Sequence, residues 1–169
     1  MQLTGKEIIE KGIITNYIEE GIQQQGIDVR VEEIYGFNDS NIKNGYIPTK
    51  GKSIIPKTQP IIPINPFAQS NIYYLTPGYY EVKLKEGCTI PPNASLHFKT
   101  RSSLVRCGAI VHSGQFDAGF KTENMGCFLQ VIHPIHIEIG ARIAQAIVFE
   151  SNDVENLYDG QWQGDKQRT

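Results

Sequence analysis

A chain of 169 residues and 19.0 kDa can bury roughly 70% of its unfolded surface in a single core, so one domain over residues 1–169 is expected. Hydrophobic residues at 40% and charged residues at 20% describe an ordinary globular protein. The formal net charge of -2 excludes a global basic field that would recruit nucleic acid, and no apolar run approaches the ~20 residues of a membrane span. Met1-Gln2-Leu3-Thr4 carries no charged-then-apolar leader, so no secretory signal is expected. Cys88, Cys107 and Cys127 are odd in number and widely spaced. That pattern fits reduced thiols in the cytoplasm better than a disulfide framework, and all three are expected as small buried hydrophobes.

The first predicted element is a short helix. Thr4 and Glu7 form a T-x-x-E capping box, Ile8, Ile9 and Ile13 follow on roughly one face, and Gly12 is the expected stop. After residue 25, Ile27, Val29 and Val31 alternate with Asp28, Arg30 and Glu32, the period-two signature of a strand. Residues 38–70 hold Pro48, Pro56, Pro60, Pro63 and Pro66 among Gly, Asn and Lys. Proline removes ladder donors, so this stretch is expected as a surface excursion with at most short edge strands at Ser53–Ile55 and Ile61–Ile64. From residue 71 the pattern predicts strands at Tyr73–Leu75, Tyr79–Leu84, Ser95–Lys99, Ala109–His112, Cys127–Ile132, Ile135–Ile139 and Ile143–Phe149. Short strands at this spacing, with few helices, indicate an all-β sandwich or barrel. The segment 154–169 is polar and aromatic, and is expected as a mobile tail that frays or closes over something.

The chemistry concentrates between residues 100 and 120. Arg101, Ser102 and Ser103 bring guanidinium and hydroxyl donors, which suit phosphate oxygens, and Arg106 follows on the same segment. Gly114-Gln115-Phe116-Asp117-Ala118-Gly119-Phe120 is a glycine-containing turn with one carboxylate and aromatic rings. Phosphate grip, carboxylate and ring are what an enzyme needs to hold a nucleotide and activate a water beside it. Taken singly, each piece has a plainer reading. The R-S-S run reads as a turn with an Arg, Arg106 as a surface cation, Asp117 as an Asx turn, Phe120 as a core aromatic and Asp28 as a solvent-facing strand residue. Gln145 is polar within an apolar strand, so its amide needs a partner. Zinc deamination is set aside: His136-Ile137-Glu138 gives H-x-E, but no P-C-x-x-C follows. His133 and His136, three apart in a strand pattern, would make a poor chelate.

In order along the chain, several motifs resemble the dCTP deaminase and dUTP diphosphatase superfamily. They are Leu3-Thr4-Gly5-Lys6-Glu7-Ile8-Ile9, Gly26-Ile27-Asp28-Val29-Arg30-Val31, Tyr74-Leu75-Thr76-Pro77-Gly78-Tyr79-Tyr80, Arg101-Ser102-Ser103-Leu104-Val105-Arg106-Cys107-Gly108, Gly140-Ala141-Arg142-Ile143-Ala144-Gln145 and the tail Tyr158–Gly164. The R-S-S segment and the tail are closest to the deaminase branch. The resemblance implies a mainly β distorted jelly-roll, or β-clip, fold with a short N-terminal helix. It implies a homotrimer with sites between subunits, and Mg²⁺ held mainly through the triphosphate with no direct protein ligand. By the same resemblance, Arg101, Ser102, Ser103, Arg106 and Gln145 would hold phosphates. Backbone groups of Gly114 to Phe116 would read the uracil edge, and Asp117 would orient the attacking water. Phe120 would stack on sugar or base. Asp28 would stand near the metal-triphosphate or in a structural polar network, and Tyr158 would belong to a tail over the site.

Two departures bear on the reaction. In dCTP deaminases a Glu on the strand after the Asp motif activates water, and pairing Cys127-Phe128-Leu129-Gln130-Val131 with that strand puts Gln130 in its place, as a substrate-binding residue. An amide cannot accept the proton. Lys121-Thr122-Glu123-Asn124-Met125 looks like extra turn residues, which leaves Glu123 as another candidate base. The tail carries Gln161 where a Lys is usual, so Lys166 or Arg168 would have to substitute. The expectation is dUTP hydrolysis to dUMP and pyrophosphate. dCTP deamination, both activities together, or a nucleotide-binding protein without chemistry remain as alternatives.

Overall fold

The protein is described from a computed structural model covering residues 1–37, 44–64 and 71–164. The expectations for 38–43, for 65–70 and for Lys166 and Arg168 lie outside the described residues. The opening helix forms as its spacing predicts. α1 (Gly5–Glu10) starts at Thr4, whose Oγ1 accepts from Glu7 N while the Glu7 carboxylate accepts from Thr4 N. It ends at Gly12, which has φ +65, the left-handed conformation that terminates helices.

The strands follow in chain order: β1 (Ile14–Thr15), β2 (Ile22–Gln23), β3 (Gly26–Phe37), β4 (Thr58–Pro60), β5 (Ile72–Leu75), β6 (Gly78–Leu84), β7 (Gly87–Thr89) and β8 (Ala94–Thr100). Then come α2 (Ser102–Arg106), β9 (Ala109–His112), β10 (Lys121–Thr122), β11 (Gly126–Val131), β12 (Ile135–Glu138) and β13 (Arg142–Glu150). Every pairing is antiparallel, and the main sheet runs β8-β13-β3-β6-β11-β9. Its two edges meet. Leu96 of β8 exchanges both backbone hydrogen bonds with Phe116, each at 3.0 Å. Thr100 Oγ1 accepts from Val111 N at 3.0 Å. The sheet therefore curls into a barrel, which removes the exposed edges an open sheet would present.

Alternation fills the interior. Ala144, Ala146 and Val148 of β13, Val82 and Leu84 of β6, Leu129 and Val131 of β11 and Leu96 of β8 are all buried in one apolar core. β3 departs from strict alternation, with Gly26 through Val29 buried in succession. Its outer face there is covered by the N-terminal segment: the backbone of Gly21 lies against Asp28. Register shifts, between Val31 and Glu33 on β3 and between Arg142 and Ala144 on β13, bend the strands at this point.

Three expectations need correction. The edge strand in the proline-rich excursion is Thr58–Pro60, paired to Tyr35–Phe37, while Ser53–Ile55 and Ile61–Ile64 contribute only single bridges through Ile54 and Ile64. Pro60 is tolerated because an edge position needs no donor on its outer side. Cys88 and Cys127 are buried, but Cys107 is exposed at the end of α2. His133 sits in the bend between β11 and β12, not in a strand. The residues read as an enlarged turn have a structural job: Lys121–Thr122 pair with Thr89 and Cys88, on the opposite side of β7 from β1.

Candidate active site

β8 delivers the chain to Arg101, where it turns into one short helix. Arg101 is the N-cap of α2, and its backbone N–H donates to Ile143 O at 3.1 Å, anchoring the helix start to β13. Ser102 and Ser103 occupy the exposed first turn, Leu104 plugs into the core, and Arg106 is exposed one turn after Ser102 on the same helix face. The R-S-S segment is thus a helix start and not a simple turn.

Asp28 organises this end of the barrel. It is 2% exposed, not solvent-facing, and its Oδ2 lies 3.3 Å from Arg101 Nε and 3.3 Å from Arg142 Nη1. Gln145, its register partner on β13, hydrogen-bonds the same carboxylate. Burial pushes the Asp28 carboxyl above the ordinary carboxylate range, and Arg101, Arg142 and the Gln145 bond pull it part of the way back. Two guanidiniums on one carboxylate leave the cluster cationic, with Arg101 and Arg142 each about a third exposed. That is a charge suited to phosphate. Arg142 lies within the Gly140–Gln145 motif but is not among the residues expected to hold phosphate. Its Nη1 also donates to Glu20 O at 2.6 Å, which ties the cluster to the N-terminal segment.

Asp117 stands elsewhere. Phe116 is held against Leu96, and the tight turn that follows is Asp117–Phe120, closed by Phe120 N donating to Asp117 O at 3.0 Å with Gly119 at φ +86. Gly114 precedes that turn in open space. The Asp117 carboxylate is exposed, and its Oδ1 accepts from Gln115 Nε2 at 2.6 Å. Phe120 packs on the core edge between Phe116 at 5.4 Å and Tyr158 at 5.5 Å, both edge-on. Leu96 and Arg101 are five residues apart on an extended strand, about 16 Å. The structure therefore gathers Arg101, Ser102, Ser103, Arg106, Asp28 and Gln145 at one end of β8. Within the same chain it sets Gly114, Phe116, Asp117, Phe120 and Tyr158 apart from them.

The tail closes on the Asp117 turn. Tyr158 N donates to Ala118 O at 2.8 Å, Gln163 Nε2 donates to Gly119 O at 2.8 Å, and Lys121 N donates to Gln163 Oε1 at 2.9 Å. Gln161 Oε1 accepts from Ser53 N at 3.2 Å. Gln130 lies on β11 with its Oε1 2.9 Å from His112 Nε2. Glu123 is exposed in the bend before β11, at the opposite end of that strand from Gln130. Among the described residues, no group of three His, Cys, Asp or Glu side chains could hold a metal ion.

Comparison with known proteins places this arrangement. A family model described as dCTP deaminase-like matches residues 3–152. A protein of Halobacterium salinarum named probable deoxyuridine 5'-triphosphate nucleotidohydrolase is 35% identical over 152 residues, covering 88% of this chain and 86% of the relative. A Methanocaldococcus jannaschii protein named deoxyuridine 5'-triphosphate nucleotidohydrolase is 33% identical, covering 91% and 94%. The crystal structure of 2'-deoxycytidine 5'-triphosphate deaminase from Agrobacterium tumefaciens superposes with a TM-score of 0.58 at 16% identity, over 87% of this chain. This chain spans only 47% of that enzyme's length, and the likeness concerns the fold. From β3 and its Asp28 through the R-S-S helix to the end of β13, the chain belongs to the dCTP deaminase-like family.

Proposed function

We propose that the protein hydrolyses dUTP to dUMP and pyrophosphate. The observation that carries this choice over deamination is the amide at Gln130. It lies 2.9 Å from His112 Nε2, and an amide cannot take a proton from water. The names of the relatives that align over most of the chain support the same reading.

The substrate is the Mg²⁺ complex of the nucleotide, whose metal offsets phosphate charge. The donor set suits a cation carried in by phosphate: Asp28 is committed to two guanidiniums. Arg101, Arg106, the Ser102 and Ser103 hydroxyls and Gln145 bind phosphate oxygens, with Asp28 holding Arg101 in place. Asp117 accepts a proton from the water as that water attacks the α-phosphorus. The bond from α-phosphorus to the bridging oxygen then breaks, and pyrophosphate leaves. Gln115, donating to Asp117 Oδ1, fixes the carboxylate while leaving Oδ2 for the water. Gly114 and Phe116 supply backbone to the base, and Phe120 with Tyr158 borders the sugar.

The separation of Arg101 from Asp117 along β8 supports a homotrimer in which each site takes its phosphate grip from one subunit and its Asp117 turn from the next. A single hydrophobic cluster joining the described elements supports reading residues 1–169 as one domain. Three free cysteines support work in the reducing cytoplasm. Among the described residues, no helix is long and apolar enough to cross a membrane.

The test offers dUTP and dCTP separately to purified protein with Mg²⁺ and scores pyrophosphate and ammonia. Pyrophosphate from dUTP without ammonia from dCTP is expected. Asp117→Asn should lower kcat by about 10²–10⁴, the usual loss for a missing general base. Near-full pyrophosphate release by that variant would overturn the assignment.

A further inference from the structure

Residues 44–57 of the proline-rich excursion contribute nothing to the buried core, yet they reach the tail. The strand that follows them, β4, fixes the excursion to the main sheet: it pairs with Tyr35–Phe37, and Thr58 Oγ1 donates to Glu81 Oε2 at 2.8 Å. Ahead of it, Tyr46 and Ile54 exchange both backbone hydrogen bonds, at 3.0 and 2.9 Å, and close a hairpin. Gly51, with φ +93, lies in its tip. Ser53, on the returning arm, donates its backbone N–H to Gln161 Oε1 at 3.2 Å. Among the described residues, this is the hydrogen bond that joins the excursion to the tail. Apolar packing adds little there, because Tyr46, Ile47, Ile54 and Trp162 all leave their side chains exposed.

Ser53 fixes the orientation of the Gln161 amide. A backbone N–H can only donate, so the atom facing it is the amide oxygen. The other end of the amide, Nε2, is closed off from solvent and finds no acceptor among the described residues. The tail turn that carries Gln161 is bonded to the Asp117 turn and the strand after it. Tyr158 N donates to Ala118 O, Gln163 Nε2 to Gly119 O, and Gly164 N to Lys121 O at 2.9 Å. Gln161 stands between those anchors. We infer that Ser53 and Gln161 are positioning residues: through their bond the hairpin clasps the tail and keeps it on the Asp117 turn. The unmet Nε2 donor offsets part of what the one hydrogen bond contributes, so the clasp holds weakly. A weak clasp suits a cover that must open to admit nucleotide and release product. This inference rests on the reading of the protein as a dUTP hydrolase whose Asp117 turn meets the nucleotide.

The test follows amide hydrogen exchange over residues 158–164 by mass spectrometry, in the full-length protein and its variants. Ser53→Pro deletes the donor, and Gln161→Ala deletes the acceptor. Each should speed exchange by about fivefold, the scale of one net hydrogen bond. The double variant should exchange no faster than the faster single one, because both changes remove the same bond. Gln161→Glu keeps an oxygen toward Ser53 and drops the unmet donor, so its tail should exchange no faster than the native tail. If Gln161 acted by packing alone, Ser53→Pro would leave exchange unchanged or the two effects would multiply, and either result overturns the clasp. Steady-state rates with dUTP and Mg²⁺ supply the second readout. Ser53→Pro and Gln161→Ala should raise KM by about fivefold with kcat within about twofold of native, as expected when a cover is loosened and the chemistry is untouched. Faster exchange with an unchanged KM overturns the tie between clasp and nucleotide and leaves the hydrolase reading standing. No pyrophosphate release by the native protein removes the hydrolase reading, while the exchange rates still decide whether the excursion holds the tail.

Discussion

Glu86 and Asp28 are two buried carboxylates that the fold treats alike. Glu86 is fully buried and bonded twice to Arg30, through the backbone N at 2.7 Å and through Nε at 2.5 Å. Arg30 Nη2 in turn donates to Asn16 O at 2.5 Å, and Asn16, with φ 56, donates to Lys85 O at 2.6 Å. Burial raises the Glu86 carboxyl above its ordinary value, and the Arg30 bonds offset that only in part. The sign for stability follows. A carboxyl raised in the folded state binds its proton more tightly there than in the unfolded chain. Its contribution is therefore complete below the unfolded value of about 4.3 and is lost as pH rises through the folded one. Glu86→Gln removes that titration. The native protein's Tm, relative to the variant's, should fall as pH climbs from the acid range through the raised carboxyl, as read by thermal melts at matched ionic strength. A difference that grows with pH over that window would contradict the assignment. Asp28 shares the direction of shift, but two guanidiniums face it, so its loss bears on the proposed phosphate grip as well as on stability.

At the scale of elements, the turn after Phe116 and the tail depend on one glycine. Gly119 has φ +86, and a Cβ there would lie 2.7 Å from Leu157 Cβ. Gly119→Ala adds backbone strain of about 1–3 kcal/mol and pushes the tail off the Asp117 turn. Chymotryptic cleavage at Tyr158 and Trp162 should then accelerate while far-UV circular dichroism stays unchanged. Unaltered cleavage would show that the tail does not depend on this contact. The strands of the barrel were legible because buried and exposed positions alternate within each one, as at Ala144, Ala146 and Val148. α2 was not legible: Arg101-Ser102-Ser103 reads as a turn, and a five-residue helix gives no period to detect. The two-residue strands β1, β2 and β10 are equally silent, since pairing with β7 or β3 defines them and not their own sequence. The Asp28–Arg142 contact spans 114 residues and appears only when β3 and β13 are laid side by side. The Gln130–His112 pair likewise depends on the register of β11 with β9. Motif order thus located the candidate phosphate residues, while their mutual contacts came from strand pairing.

At the scale of the whole molecule, closing the barrel creates the division on which the proposed reaction turns. The backbone pair Leu96–Phe116 and the Thr100–Val111 bond zip β8 against the segment leading to Asp117. That zipper carries Arg101 and Asp117 to positions separated by the length of the strand, about 16 Å. A rigid barrel cannot bring them together by local motion, because the intervening residues are paired on both sides: β8 also pairs with β13 from Ala94 to Thr100. If both residues serve one nucleotide, this separation favours the proposed assembly, in which they come from different copies. Arg101→Ala and Asp117→Asn, each inactive alone, should then complement. Mixed one to one, denatured and refolded together, they should form the proposed trimers with about a quarter of the interfaces pairing an intact Arg101 with an intact Asp117, by random assembly around a closed ring. Pyrophosphate release should recover to roughly a quarter of the native rate on that counting, while each variant refolded alone stays inactive. If every site were built within one chain, no mixture would recover activity, because each copy would still carry its own defect.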